Sequence, residues 1–141
     1  MVVLDTDHLS LLEWSESHEG LRLRMRLEGI AANAAATTII NYEEQMRGWM
    51  AYMAKTRRIE QQIEAYKRLK KHLDNYRKID VLDFDSRAAQ HFEQLFQNRI
   101  RIGTMDLKIA AIVLSRGATL LTRNQRDFGQ VPGLRFEDWT K

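Results

Sequence analysis

Val2-Val3-Leu4-Asp5-Thr6-Asp7-His8-Leu9-Ser10 opens with an apolar run, follows it with two carboxylates, and then begins a helical pattern. A short β-branched run ending at an acidic residue reads as a buried strand. The same alternation continues along the chain. Ala36-Thr37-Thr38-Ile39-Ile40 reads as a second strand with Asn41 as the N-cap of the next helix. Val81 to Phe84, Ala118 to Thr122 and Leu134 to Phe136 read as further strands, the last reached through a Pro132-Gly133 turn. Helical patterns fill the intervals. One runs from about His8 to Leu27 and is broken near Gly20 and Gly29. Another runs from Tyr42 to about Ala54, with Met46, Trp49, Met50 and Met53 on one face as expected core. Arg57 to Arg77 makes a long helix, and Asp85 or Ser86 caps one carrying Ala89, Phe92, Leu95 and Phe96. A last helix starts with Thr104 as N-cap and stops at Gly117. Strands alternating with helices predict an α/β fold with a mainly parallel sheet of four to five strands, residues 1–141 forming a single domain.

Composition narrows the class. The 141 residues include no cysteine, which excludes disulfide scaffolds, thiolate metal sites and cysteine nucleophiles, and suits a reducing compartment. No run approaches the ~20 apolar residues of a membrane span, and the N-terminus lacks the basic and apolar regions of a secretory signal. The cytoplasm is the expected location, with no membrane partner. The four histidines show no i, i+4 pair, and no phosphate-cradling glycine loop is present.

Charge is unevenly spread. Between Lys55 and Lys78 nine basic residues face three acidic ones, giving +6, so in a chain of net +3 the remainder carries −3. A basic segment beside an acidic remainder suits a polyanion partner. A solvated helix face explains the segment equally well.

Ligands of parallel α/β sheets bind outside the carboxyl ends of the strands. Asp5 and Asp7 follow the first strand, Glu43 and Glu44 open the helix after the second, and Asp106 opens the helix before the fourth. Asn124 and Asp127 follow the fourth strand. Each has an ordinary role alone, as turn residue, cap or partner of a helix dipole. Gathered at one edge, they make an oxygen-rich pocket suited to Mg²⁺ or Mn²⁺ and to metal-assisted hydrolysis of a phosphodiester.

Val3 to Ser10 resembles the opening of PIN-domain ribonucleases, in particular the VapC toxins of bacterial toxin–antitoxin pairs. Thr38-Ile39-Ile40-Asn41-Tyr42-Glu43-Glu44 with Gly48 is similar to their second motif, and Thr104-Met105-Asp106-Leu107-Lys108-Ile109-Ala110-Ala111 to the third. Leu121-Thr122-Arg123-Asn124-Gln125-Arg126-Asp127-Phe128 is similar to the fourth. The resemblance implies a three-layer α/β/α PIN fold, a divalent-metal-dependent endoribonuclease, a homodimer and a cognate VapB-type antitoxin. It implies Asp5, Glu44 and Asp106 as metal ligands, with Glu43 the runner-up to Glu44. Asn124 stands where some families have an aspartate, so Asp127 is the alternative fourth catalytic position. Asp7 stands where asparagine is common. Thr104 and Thr122 would orient carboxylates, and Arg123 and Arg126 are candidates for RNA contacts.

Two other readings remain open at this level. Leu4-Asp5-Thr6-Asp7 also resembles the nucleophile motif of haloacid-dehalogenase-type phosphatases, although no matching downstream set is present. The acidic edge could also belong to a non-catalytic RNA-binding or regulatory module.

Overall fold

The structure, a computed structural model, describes residues 1–14 and 16–141. In chain order its elements are β1 (Val2–Leu4), α1 (Thr6–Trp14), α2 (His18–Glu28), β2 (Ala35–Thr38), α3 (Ile39–Lys55), α4 (Ile59–Tyr76) and β3 (Asp80–Leu82). They continue with α5 (Ser86–Gln97), α6 (Thr104–Arg116), β4 (Thr119–Leu121), α7 (Gln125–Phe128) and β5 (Arg135–Glu137). All strand pairings are parallel, and the sheet order is β3-β2-β1-β4-β5.

Alternating side chains divide the core between two faces. Val3, Ala36 and Leu120 point to one face, where they pack with Ala88 and Leu95 of α5, with Ile109 and Ile112 of α6, and with Phe128. Leu4 and Leu121 point to the other, against Leu9 of α1, Leu23 of α2, Tyr76 of α4 and Trp139. Helices therefore cover both sides of the sheet, giving three layers. The order reverses between β1 and β4, which are neighbours although most of the chain separates them. That reversal opens a crevice at their carboxyl ends.

Several boundaries depart from the sequence expectation. The first helical stretch divides between Trp14 and His18 rather than at Gly20; Ser15 lies outside the described residues. Ser17 caps α2 by accepting from the Gly20 amide at 3.2 Å, so Gly20 sits buried inside the first turn. β2 ends at Thr38 and not Ile40, because the Thr38 hydroxyl caps α3 by accepting from the Asn41 amide at 3.1 Å. Asn41 is therefore inside the helix. Gly103, not Thr104, occupies the N-cap of α6 and contributes no side-chain bond. Asp85 caps α5 as expected.

The α3 face is only partly core: Met46, Trp49 and Met53 are half-buried and Met50 is exposed. α3 and α4 form an antiparallel hairpin anchored at the sheet end by Tyr42, whose ring lies 4.8 Å from Tyr76 and 6.4 Å from His72. Its turn carries Arg57 and Arg58, and all nine basic residues from Lys55 to Lys78 are exposed.

Gly117 ends α6 with φ of 60°, a left-handed conformation that costs a side-chain-bearing residue roughly 1–2 kcal/mol. No atom crowds a Cβ there, so the penalty is purely conformational. Gly117→Ala is expected to lower stability by about 1–2 kcal/mol and the melting temperature by several degrees. Calorimetry of the two proteins checks this.

Candidate active site

The crevice between β1 and β4 holds Asp5, which is 7% exposed and receives donors from three parts of the fold. Its Oδ1 accepts from the Thr6 amide at 2.9 Å and from Asn41 Nδ2 at 3.0 Å. Its Oδ2 accepts from the Thr122 hydroxyl at 2.8 Å. Asn41 is itself fixed: its Oδ1 accepts from the Thr38 hydroxyl at 2.7 Å, while Nδ2 also donates to Thr6 Oγ1 at 3.0 Å. Burial pushes the Asp5 carboxyl above its ordinary range, repulsion from Asp7 adds to this, and the three donors oppose it.

The other acidic positions surround this anchor. Burial lifts the Glu44 carboxyl to about 7, with further repulsion from Asp5, Asp106 and Glu43. Burial lifts Asp106 to about 6, reinforced by Asp5, Asp127 and Asp7. These groups, from the residue after β1 and from α1, α3, α6 and α7, therefore share one electrostatic neighbourhood. Glu44 Oε1 is buried and has no hydrogen-bond partner among the described residues. Glu43 instead turns outward and pairs with Arg47 at 2.5 Å. The α6 N-terminus favours the Asp106 carboxylate, but that contribution is smaller than the effect of burial.

The remaining expected residues have distinct placements. Asp7 uses both oxygens within the protein: Oδ1 faces His8 Nδ1 at 2.7 Å and Oδ2 accepts from the Arg123 amide at 2.9 Å. Asn124 caps α7 and donates through Nδ2 to Asp127 Oδ2 at 3.1 Å, so these two act as a pair. Thr122 is fully buried, and its hydroxyl is bonded to Asp5. Thr104 is exposed, and among the described residues its side chain bonds no carboxylate. Arg123 and Arg126 are exposed beside the crevice. Sequence reasoning missed Asn41 as a site residue, and the signal available was a lone amide between Ile40 and the acidic pair. It also missed His8, which was weighed only as a zinc ligand.

Among the described residues no three acidic or imidazole groups stand in a finished metal cage. The donor set nevertheless fits a hard divalent cation. It is oxygen-only, it gathers carboxylates whose repulsion a cation would relieve, and it includes an orphaned buried oxygen on Glu44.

Comparison with known proteins agrees with this architecture. Residues 2–134 match the family model described as PIN domain. Over 67 residues the chain is 43% identical to a Shigella flexneri protein named tRNA(fMet)-specific endonuclease VapC, an overlap of 45% of this chain and 51% of that protein. The chain thus spans about half the length of the curated relatives it matches. Among solved structures, VapBC-1 from nontypeable Haemophilus influenzae is 26% identical with a TM-score of 0.71, covering 100% of both chains. The DNA-bound VapBC of Salmonella typhimurium is 26% identical with a TM-score of 0.68, covering 98% of this chain and 97% of that one.

The raised acids give stability a pH signature. A carboxyl whose folded value exceeds its unfolded value stabilises the fold below the unfolded value, and this is lost as pH rises through the folded one. For Glu44 the window runs from about 4.5 to about 7. Metal-free protein is expected to lose stability across that range, and Glu44→Gln to flatten the loss and melt a few degrees higher at pH 8. Urea midpoints from pH 5 to 8 in EDTA check the sign.

Proposed function

Because the chain belongs to the PIN domain family, we propose that it is a divalent-metal-dependent endoribonuclease that hydrolyses RNA phosphodiester bonds, the toxin of a type II toxin–antitoxin pair. The observation that carries this reading is the shared neighbourhood of Asp5, Glu44 and Asp106, with an unpaired Glu44 oxygen buried among them.

Asp5, Glu44 and Asp106 would hold the ion, Mg²⁺ or Mn²⁺, with Asp127 and Asn124 as a supporting pair. When bound, such an ion polarises the scissile phosphate and lowers the pKa of a water. Asp5 is the fixed ligand, since three donors hold its oxygens in place. Glu44, or Asp106 beside it, orients the attacking water and takes its proton. Arg123 and Arg126 contact phosphates flanking the cut, and the exposed basic residues of the α3–α4 hairpin draw in the polyanion.

Partners follow from the same reading. An RNA substrate, a VapB-type antitoxin and a second copy of the chain are proposed. The antitoxin belongs on the apolar surface of α4, where Ile59 is 63% and Tyr66 is 61% exposed. Transfer RNA of the fMet type, cleaved by the named relatives, is the first substrate to try. Among the described residues no helix is long and apolar enough to cross a membrane, and we place the activity in the cytoplasm.

Asp5→Asn and Asp106→Asn are expected to lower RNA cleavage by more than about a hundredfold while leaving the far-UV circular dichroism unchanged. EDTA is expected to stop the wild type, and added Mn²⁺ to restore it. Cleavage that persists in both purified variants, or in excess EDTA, would refute the proposal.

A further inference from the structure

His8 is wholly buried, and both ring nitrogens are engaged. Its Nε2 accepts the Trp139 backbone N–H at 3.2 Å. An accepting Nε2 carries no proton, so in the neutral ring Nδ1 holds it and donates to Asp7 Oδ1 at 2.7 Å. Asp138 Oδ1 lies 3.7 Å from Nε2, but it is taken up by the Thr140 amide at 2.9 Å and the Thr140 hydroxyl at 2.5 Å. The ring therefore joins the first turn of α1 to the segment after β5.

We propose that His8 is a positioning residue of the site, holding Asp7 so that the loop after β4 presents the Thr122 hydroxyl to Asp5. The proposal rests on the metal-nuclease reading above. The connection can be followed atom by atom. With Oδ1 held by His8, Asp7 turns Oδ2 toward the Arg123 amide. That bond fixes the residue next to Thr122, whose hydroxyl stands 2.8 Å from Asp5 Oδ2 and only 3.4 Å from Asp7 Oδ2. The shorter contact receives the hydroxyl proton, so Asp5 is the carboxylate that is fixed. The segment after β5 contributes from behind: Arg22 Nε donates to the Thr140 carbonyl at 2.8 Å, and the Arg26 guanidinium sits 4.5 Å from the centre of the Trp139 ring. These contacts hold the amide that sets the His8 tautomer. Residues near the C-terminus thus govern the orientation of a ligand near the N-terminus.

Groups that orient metal ligands typically change affinity by ~10–100-fold when lost. His8→Leu is expected to weaken Mn²⁺ binding, measured by calorimetry, about tenfold or more, and to lower kcat on RNA with little change in KM. His8→Asn places an amide N–H near the Nδ1 position and is expected to recover most of the affinity. His8→Gln, which reaches toward the Nε2 position instead, is expected to recover less. In an Asp7→Ala background His8→Leu is expected to cost nothing further. A residue that only fills the core would lower the melting temperature and leave Mn²⁺ affinity untouched. Equal Mn²⁺ affinity in wild type, His8→Leu and His8→Gln would overturn this inference alone, as would full additivity with Asp7→Ala. If His8→Leu does not fold, the Asn and Gln pair decides, and equal affinities overturn the inference. Wild-type protein that bound no Mn²⁺ would remove the proposed function as well.

Discussion

A buried carboxylate must find donors or be expelled, and the burial of Asp5 at the end of β1 is the constraint on which the carboxyl edge of the sheet depends. An unpaired ion in this position would cost several kcal/mol, and hydrogen bonds to a charged group each return roughly 1.5–3 kcal/mol. Three elements supply them: α1 through the Thr6 amide, α3 through Asn41 and the loop after β4 through Thr122. Each donor requires its own element in register. Thr37 Oγ1 donates to the Leu4 carbonyl at 2.9 Å and the Asp5 amide to the Leu121 carbonyl at 2.9 Å, tying β2 and β4 to the same point. One negative charge thereby specifies how strands distant in sequence align.

That solution leaves a second conflict unresolved. Glu44, Asp106 and Asp7 share the neighbourhood with Asp5, and nothing basic lies among the causes that shift Glu44 or Asp106. A protein selected only for stability would have replaced at least one of these groups. Retained destabilising charge is the expected mark of a site that works with a ligand of opposite sign. Arg123 and Arg126, after β4, are exposed.

The alternation of apolar runs with amphipathic spacing made the α/β order legible, and the acids at strand ends made the edge legible. The misplaced features have local causes. Gly20 looked like a helix break because glycine disfavours helix interiors, yet Ser17 caps the helix three residues earlier and leaves Gly20 buried in its first turn. Asn41 and Thr104 both looked like caps, since that is where such residues usually sit. Thr38 took the cap in one case, which freed the Asn41 amide for Asp5. In the other, Gly103 took the position and left Thr104 in solvent. Gly48, four residues after Glu44, is exposed with open space where a Cβ would lie. The geometric distinction lies elsewhere, in the pairing of Glu43 with Arg47. The role of His8 was invisible because its partner Trp139 lies 131 residues away.

Periodicity also could not say what the apolar stripe of α4 faces. Ile59, Ile63, Tyr66, Leu69, Leu73 and Tyr76 keep helical spacing, yet only Tyr76 reaches the core, while Ile59, Ile63, Tyr66 and Leu73 are exposed. A stripe facing the core and one facing a partner have the same sequence signature, because both are removed from water in the working assembly. What separates them is whether the rest of the chain has surface left to cover the stripe. Here the sheet faces are largely covered by α1, α2, α5 and α6, and the hairpin reaches the core near its sheet end, through Ile40, Tyr42 and Tyr76. Exposed apolar residues grouped in this way suit the antitoxin contact proposed above. Lys67, Lys70 and Lys71 lie on the same helix and are exposed. An amphipathic segment with acidic flanks is the partner chemistry that such a face fits, and the proposed antitoxin is the partner from which to expect it.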